Sequence, residues 1–203
     1  MTVFEHKEVG MSRSLNILVI SESESSAAML TDSLQKADFS VGKAVRPNQD
    51  IISAVRDYDV DVVVAYMEET KLVFMNQMYH LNQEIPKPVI IFTQKSQPEL
   101  IKGAIQAGVS AYVVDGFSVQ RVRTIIELAV ARFNEEQALR DELRLTKSKL
   151  QERKLIERAK GIIMEKRHLK EDDAYKALRK LAMDKNQRIA EVAADVINVS
   201  KLL

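Results

Sequence analysis

The stretch NILVISESESSAAMLTDSLQKA (residues 16–37) decides the fold, because it joins a short β-rich run to a helical pattern. Residues 17–20 are all aliphatic, as expected of a strand buried on both faces of a sheet. Beyond them Ala27, Leu30 and Leu34 recur at the spacing of one helix face. A strand followed directly by a helix begins a βαβ unit, so this segment predicts that similar units follow.

The alternation of strand and helix continues to about residue 133. Further strands are predicted at 39–45, 60–66, 88–93 and 111–115, and helices at 48–58, 71–83, 98–108 and from 118 onward. Most of these strands are almost continuously apolar, which is typical of a parallel sheet with helices on both faces. The predicted fold is therefore α/β: a flavodoxin-like, doubly wound, five-stranded parallel sheet over residues 15–135.

The composition of the 203-residue chain excludes several kinds of site. Cysteine is absent, so a disulfide framework, a thiolate metal site and a cysteine nucleophile are all excluded. Tryptophan is absent and 5% of the residues are aromatic, which disfavours an aromatic platform for stacked bases. Without a signal peptide or an apolar run of about 20 residues, the sequence predicts a cytoplasmic protein that does not enter the membrane. Residues 1–14 are predicted to be a flexible tail, with Met11 as an alternative start.

The net charge of +1 hides an asymmetry between the two parts of the chain. Residues 140–203 hold 17 Lys and Arg against 11 Asp and Glu, whereas residues 1–139 hold 13 against 18. An acidic first part and a basic, helical second part indicate two modules with different partners. The basic part is compatible with nucleic acid, although solvated helix faces are often equally basic.

The helix that begins near residue 118 is predicted to continue beyond the sheet domain, because the sequence has no proline from residue 118 to about residue 167. Leu139, Leu143 and Leu150 follow a heptad spacing, with Thr146 at the intervening position. We therefore predict a long helix with a coiled-coil linker over residues 118–154, and a homodimer. The alternative is a solvated connector helix without a partner.

The remaining residues, 155–203, are predicted to form a small three-helix domain. The helices are expected at about 155–167, 171–184 and 187–200. Each has one apolar face, and Asn186 is interpreted as the N-cap of the third helix. Such a bundle is too small to be very stable alone, so we expect it to depend on the long helix and on dimer contacts.

The strand ends within residues 15–135 carry a pattern that resembles response-regulator receiver domains. The segments ILVISES, DVVVAYM, VIIFTQK and AYVVDGF stand where receivers have acidic residues, a phosphoacceptor aspartate, a Thr or Ser, and a lysine. The resemblance makes Glu22 a metal-side acid and Thr93 the switch hydroxyl. It places Tyr66, or Ala65 with a one-residue shift, at the acceptor position and Asp115 at the lysine position.

This degenerate receiver pocket predicts that the domain is not phosphorylated. Phosphoryl transfer to a carboxylate needs the nucleophile and a cation for the transferred oxygens, and the chain lacks both at these positions. Glu68 and Glu69 lie nearby in sequence, but they are predicted to fall beyond the strand end, on a loop. We therefore interpret residues 15–135 as a pseudo-receiver domain.

The C-terminal segment resembles the ANTAR domain, an RNA-binding module of transcription antiterminators. The resemblance rests on ERAKGIIMEK, DDAYKALRKLAM and NQRIAEVAADVI, which begin at residues 157, 172 and 186. Lys170 departs from the pattern, since the family usually has a Ser or Thr helix cap there. The order of receiver, coiled coil and ANTAR domain is similar to nitrate-assimilation antiterminators of the NasT type. That similarity implies recognition of stem-loop leader RNA and a regulatory sensor protein as a possible partner.

Gly161 stands inside a predicted helix, where glycine costs about 1 kcal/mol relative to alanine. On a helical wheel it lies off the apolar stripe and among cations, so its missing Cβ would admit a phosphate backbone. The alternative is close contact with another helix of the bundle or of the dimer. With the ANTAR resemblance, the candidate RNA-binding residues are Arg153, Lys154, Arg158, Lys160, Gly161 and Arg167.

No catalytic, metal or cofactor site is predicted. The three histidines are scattered, and the sequence has no glycine-rich phosphate loop and no nucleophile–base arrangement. The predicted function is that of a non-enzymatic RNA-binding antitermination regulator. Two alternatives remain: a phosphorylation-switched DNA-binding response regulator, and a protein-interaction module whose C-terminal domain only dimerises.

Overall fold

The computed structural model describes residues 14–95 and 97–200. Of the predicted tail, residues 1–13 with the alternative start at Met11 therefore lie outside the described residues. The chain divides into two compact units, Met1–Glu136 and Gln137–Leu203.

The N-terminal unit alternates strands and helices as the sequence predicts. The elements are β1 (Asn16–Ser21), α1 (Glu24–Lys36), β2 (Ser40–Val45), α2 (Ile51–Asp57), β3 (Val62–Glu69), α3 (Leu72–Glu84), β4 (Val89–Lys95), α4 (Pro98–Gln106) and β5 (Ala111–Val113). Three helices follow: α5 (Val119–Arg167), α6 (Glu171–Lys185) and α7 (Ile189–Ser200). Helix α5 begins in the first unit and continues into the second.

The five strands form one parallel sheet in the order β2-β1-β3-β4-β5. Alternate side chains of the strands enter two apolar cores, one on each face of the sheet. One core contains Met75 and Met78 of α3, and the other contains Leu30 of α1 and Ile126 of α5. The predicted doubly wound α/β fold is confirmed.

Two boundaries differ from the prediction in ways that matter for the sites. Strand β3 runs to Glu69, so Glu68 and Glu69 belong to the strand and are not on a loop. Pairing of Glu69 with Lys95 of β4 extends the ladder beyond the apolar residues, which is why apolar patterning alone placed the end too early. Asn186 is the C-cap of α6, in the left-handed conformation with φ of 52°, and not an N-cap of α7.

The C-terminal unit has its own small core. Its buried residues are Ala159 of α5, Leu178 and Ala182 of α6, and Val192, Ala193 and Ile197 of α7. Small side chains at Ala159, Ala174 and Ala193, all fully buried, allow the three helices to approach closely. The first helix of this unit is the end of α5, which is continuous from Val119 to Arg167.

Candidate nucleic-acid interface and degenerate receiver pocket

The last turns of α5 expose a group of cations around Gly161. Arg153, Lys154 and Arg158 are all exposed, and none of them has an ion-pair partner within the described part of the chain. At 100° per residue, Lys154, Arg158 and Gly161 lie within about 60° of one another on the helix. This arrangement leaves two positive charges beside Gly161 available to an anionic ligand, and Arg153 lies about 80° from Gly161 around the helix.

Gly161 has open space on its side of the helix. A Cβ placed on it would meet nothing within 4 Å in the described chain. The alternative that Gly161 permits close contact with another helix of its own bundle is therefore not supported by this structure. The remaining explanations for a glycine at this position are an approach by a second chain or by an external ligand.

Lys160 differs from the other candidate RNA-binding residues, because it is 8% exposed. Its Nζ donates to Oε1 of Glu171 at 2.7 Å and forms an ion pair with Glu157 at 2.9 Å. These carboxylates raise the pKa of Lys160, with Glu171 having the larger effect, and Lys160 lowers the pKa of Glu171. Direct RNA contact by Lys160 stays a prediction. In the structure its ammonium group is already paired with the carboxylates of Glu157 and Glu171.

The Lys160–Glu171 ion pair joins α5 to the first residue of α6. Helix α6 begins after Lys170, which makes no side-chain capping bond, as the departure from the ANTAR pattern suggests. The connection also contains His168 in a left-handed conformation, with φ of 53°. Side-chain capping by Lys170 is missing, and the ion pair is a polar contact between α5 and the first residue of α6.

Arg167 stands at the edge of an apolar groove that sequence reasoning missed. The groove has a volume of about 480 Å³, and Ile162, Ile163, Leu178 and Val196 are among the residues that line it. Lys166, Arg167 and Lys180 also line it and have no ion-pair partner in the described chain. The lysines were not selected as candidates because they lie on different helices, and only the packing brings them together.

The degenerate receiver pocket lies at the carboxyl ends of β1, β3 and β4. It has a volume of about 500 Å³ and is lined by Ser21, Glu22, Tyr66, Glu68 and Gln94, among others. The hydroxyl of Tyr66 accepts a hydrogen bond of 2.8 Å from Nε2 of Gln94. Oε2 of Glu22 accepts a long hydrogen bond of 3.4 Å from the backbone N–H of Glu68. The pocket therefore brings Glu22 and Tyr66 together, and adds Glu68, which the sequence had placed on a loop.

Thr93 and Asp115 are not part of this pocket's lining. Thr93 is fully buried, and its hydroxyl donates to the carbonyl groups of Glu68 and Lys95. Asp115 is exposed and has φ of 69° in the turn after β5. Thr93 thus serves the backbone of the strand ends, and Asp115 places a negative side chain where the receiver resemblance expects a lysine.

The leucines of the predicted coiled coil are solvent-exposed in the single chain. Leu139, Leu143 and Leu150 are 60%, 54% and 53% exposed.

No helix of the described residues is long and apolar enough to cross a membrane. No group of three or more His, Cys, Asp or Glu residues that could hold a metal ion occurs in residues 14–95 and 97–200.

Comparison with known proteins shows which family the C-terminal segment matches and which proteins are similar to the chain. Residues 144–197 match the ANTAR domain family. PdtaR, a transcriptional regulatory protein of Mycobacterium tuberculosis, is 29% identical over 188 residues, which cover 91% of this chain and 92% of that protein. The nitrate regulatory protein of Klebsiella oxytoca is 39% identical over 88 residues, which cover 43% of this chain and 22% of that protein.

Several solved structures with a similar fold are receiver domains. The signal receiver domain of a modulated diguanylate cyclase from Desulfovibrio desulfuricans superposes with a TM-score of 0.54 at 16% identity, covering 61% of this chain and 99% of that one. A CheY-like receiver domain from Methanospirillum hungatei gives a TM-score of 0.53 at 12% identity, covering 61% of this chain and 99% of that one. At these identities the likeness establishes the fold alone. The chain therefore combines a receiver-like α/β domain with a C-terminal ANTAR domain at residues 144–197.

Proposed function

We propose that this chain is a cytoplasmic, non-enzymatic regulator that binds stem-loop leader RNA and prevents transcription termination. The observation that carries the proposal is the exposed cationic face of the ANTAR domain around Gly161. Its three unpaired cations, Arg153, Lys154 and Arg158, are available to phosphates, and Gly161 lets a backbone approach the helix. The relatives PdtaR and the nitrate regulatory protein are named as regulators, which supports a regulatory role in place of an enzymatic one.

The proposed ligand is a folded RNA hairpin and not a DNA duplex. RNA is recognised through its phosphates and shape along the stem and through unpaired bases in the loop. The candidate residues lie on one continuous helix that contains a glycine, and the neighbouring apolar groove has cations among its lining residues. Arg167, which lines that groove, belongs to the same proposed RNA-binding set.

The proposed functional form is a homodimer that pairs through α5. Leu139, Leu143 and Leu150 recur at heptad spacing and are each more than half exposed, so a second copy of the helix would bury them. Two ANTAR domains in one particle would bind two adjacent stem-loops with a gain in effective concentration. The similarity to nitrate-assimilation regulators extends the proposal to nitrate control and a sensor protein partner.

The receiver-like domain is proposed to work without phosphorylation. Tyr66 occupies the acceptor position and its hydroxyl is already hydrogen-bonded to Gln94. Asp115 brings a negative side chain where a cation would have to neutralise the transferred phosphoryl group. A site with these residues lacks both the nucleophile and the charge needed for aspartyl phosphorylation.

A binding assay at matched salt tests the proposal. The full chain is titrated into a labelled hairpin RNA with a randomised loop, and into duplex DNA of the stem sequence. We expect tighter binding to the hairpin, and read-through of an intrinsic terminator when selected hairpins precede it in a transcription template. Equal or tighter binding to duplex DNA would favour a DNA-binding regulator, and no binding to either would favour a protein-interaction module.

A further inference from the structure

The Ser21 pocket contains a buried hydroxyl group without a partner. We use this name for the cavity of about 500 Å³ lined by Ser21, Glu22, Tyr66, Glu68 and Gln94, among others. Ser21 is 2% exposed, and its Oγ has no hydrogen-bond partner among the described residues. Leaving such a group unsatisfied costs about 1–3 kcal/mol, so it calls for an explanation.

The strand register directs this hydroxyl towards the same side of the sheet as the other polar groups of the pocket. Ser21 is paired with Tyr66, and Tyr66 with Phe92, two residues before Gln94. In-register residues of parallel strands share a face, and residues two apart along a strand share it too. Ser21, Tyr66 and Gln94 therefore form a polar row at the carboxyl ends of three adjacent strands.

The position in the fold is one where ligands bind. In the order β2-β1-β3-β4-β5 the chain reverses its direction of progress between β1 and β3. In open parallel sheets the helices on either side of such a reversal diverge, and they leave a crevice outside the carboxyl ends of the strands. The Ser21 pocket lies at this crevice, since its residues come from the ends of β1, β3 and β4.

The charges around the pocket favour a single positive charge. Glu68 is paired with Lys95 at 3.8 Å, and Glu24, in the adjoining cavity, is paired with Arg46 at 3.1 Å. Glu22 has no cation within the described residues and accepts only the long bond from the Glu68 N–H. One carboxylate thus remains uncompensated beside a row of groups that can accept hydrogen bonds.

Those acceptors indicate a cation that carries several N–H donors. Beyond the Glu22 carboxylate, two oxygens of the pocket accept no hydrogen bond from residues 14–95 and 97–200: Oγ of Ser21 and the side-chain oxygen of Gln94, whose amide nitrogen already donates to Tyr66. A hard divalent metal prefers six or more oxygen ligands, with several carboxylates among them. A guanidinium or ammonium group instead matches one net charge and spread acceptors.

We propose that the Ser21 pocket binds an organic cation of the guanidinium or ammonium class, with Glu22 as its counter-ion and Ser21 and Gln94 as hydrogen-bond acceptors. The group can belong to a small molecule or to a basic side chain of a partner protein, and the chemistry is the same in both cases. This site lies in the receiver-like domain and does not depend on RNA binding by the ANTAR domain.

The test is a titration of the ¹⁵N-labelled full chain followed by amide NMR at constant ionic strength. The probes are methylguanidine and methylamine, and tetramethylammonium is the matched cation without N–H donors. We expect saturable shifts at the ends of β1 and β3 with methylguanidine or methylamine, and none with tetramethylammonium. Absence of saturable shifts with both donor probes, or an equal response to tetramethylammonium, would overturn the proposal.

Two variants and two further arms assign the response to the pocket. Glu22→Gln should weaken binding about two- to fivefold, since it removes the counter-ion, whereas Glu24→Gln, which alters the already paired neighbour, should leave it unchanged. If Glu22→Gln and Glu24→Gln weaken cation binding equally, the response comes from general surface charge and the proposed site is refuted. Saturation of the same signals by MgCl₂ with exclusion of methylguanidine would make it a metal site instead. A short peptide with one arginine that binds more tightly than methylguanidine supports a partner's side chain, and equal affinity supports a small molecule.

Discussion

The different environments of Arg158 and Lys160 lead to opposite expectations for RNA binding. Arg158 is exposed and without an ion pair in the described chain, whereas Lys160 is 8% exposed and held by Glu157 and Glu171. Loss of one phosphate contact reduces the slope of log K against log salt by about 0.7–0.9. Arg158→Gln should show that reduction, so its deficit relative to the parent should shrink about threefold between 50 and 200 mM salt.

Lys160→Gln is expected to leave the salt slope unchanged and to lower the thermal midpoint of the ANTAR domain. The variant leaves two carboxylates without their cation at the junction of α5 and α6, which destabilises the folded domain. Because no phosphate contact is lost, RNA binding should weaken by a similar factor at every salt concentration. Fluorescence titration at four salt concentrations and circular dichroism melting provide the two measurements. Arg56→Gln, which removes the same charge from α2 in the N-terminal unit, is the control for net charge.

Glu171→Gln separates positioning from simple electrostatics. The change removes a negative charge from an RNA-binding domain, so electrostatics alone would tighten binding. If Lys160 acts by fixing the start of α6, the same change should weaken binding and lower the thermal midpoint, because Lys160 loses its 2.7 Å partner. A reduced salt slope for Lys160→Gln with an unchanged midpoint would refute this reasoning and make Lys160 a direct RNA contact.

Four further outcomes are expected. Gly161→Ala should raise the free energy of unfolding of the ANTAR domain in urea by about 0.5–1 kcal/mol, because a Cβ there meets nothing within 4 Å in the described chain. Gly161→Leu should weaken hairpin binding without loss of helicity. Unchanged RNA affinity of the leucine variant would show that nothing approaches this face. Leu143→Lys with Leu150→Lys should convert a dimer to a monomer in light scattering, and an unchanged mass would show that this seam does not control assembly. Incubation with acetyl phosphate and Mg²⁺ should give no phosphoryl mass gain, and a stoichiometric adduct on the N-terminal unit would contradict the pseudo-receiver interpretation. Lys160 lowers the pKa of Glu171, so the ion pair stabilises the domain at pH values above the ordinary glutamate pKa, and this stability is lost as pH falls through the lowered pKa. The thermal midpoint of Lys160→Gln should therefore depend less on pH in the acidic range than the midpoint of the parent.

The fold could be predicted from the sequence because its signals are local. Continuous aliphatic runs such as residues 17–20 have few stable environments other than a strand covered on both sides, and the intervening helical patterns are unambiguous. The end of β3 was missed because the strand is extended to Glu69 by backbone pairing of Glu69 with Lys95 of β4, which leaves no apolar pattern. Asn186 was misassigned because asparagine suits both an N-cap and a left-handed C-cap, and only the backbone conformation decides between them.

The candidate RNA-binding residues show the corresponding limit for sites. A helical wheel separates an apolar stripe from a cationic side, but it cannot tell a solvated lysine from one that is paired with a residue of the next helix. Glu171 is 11 residues beyond Lys160 and across a turn, so their 2.7 Å contact follows from packing and not from spacing along one helix. The same holds for the groove beside Arg167, whose lysines come from α5 and α6.

The proposed functions of the two units impose different requirements on the single helix α5. Its first part, with Val122 and Ile126 fully buried, is fixed to the sheet, and its last part, with Ala159 fully buried, belongs to the core of the ANTAR domain. Between them the helix makes no core of its own, since residues 141–150 are all exposed. A solvated helix of this length gains little from propensity alone, so its stability depends on packing at its ends or against a partner. Dimerisation through Leu143 and Leu150 would thus stabilise the connection as well as bring two RNA-binding domains together.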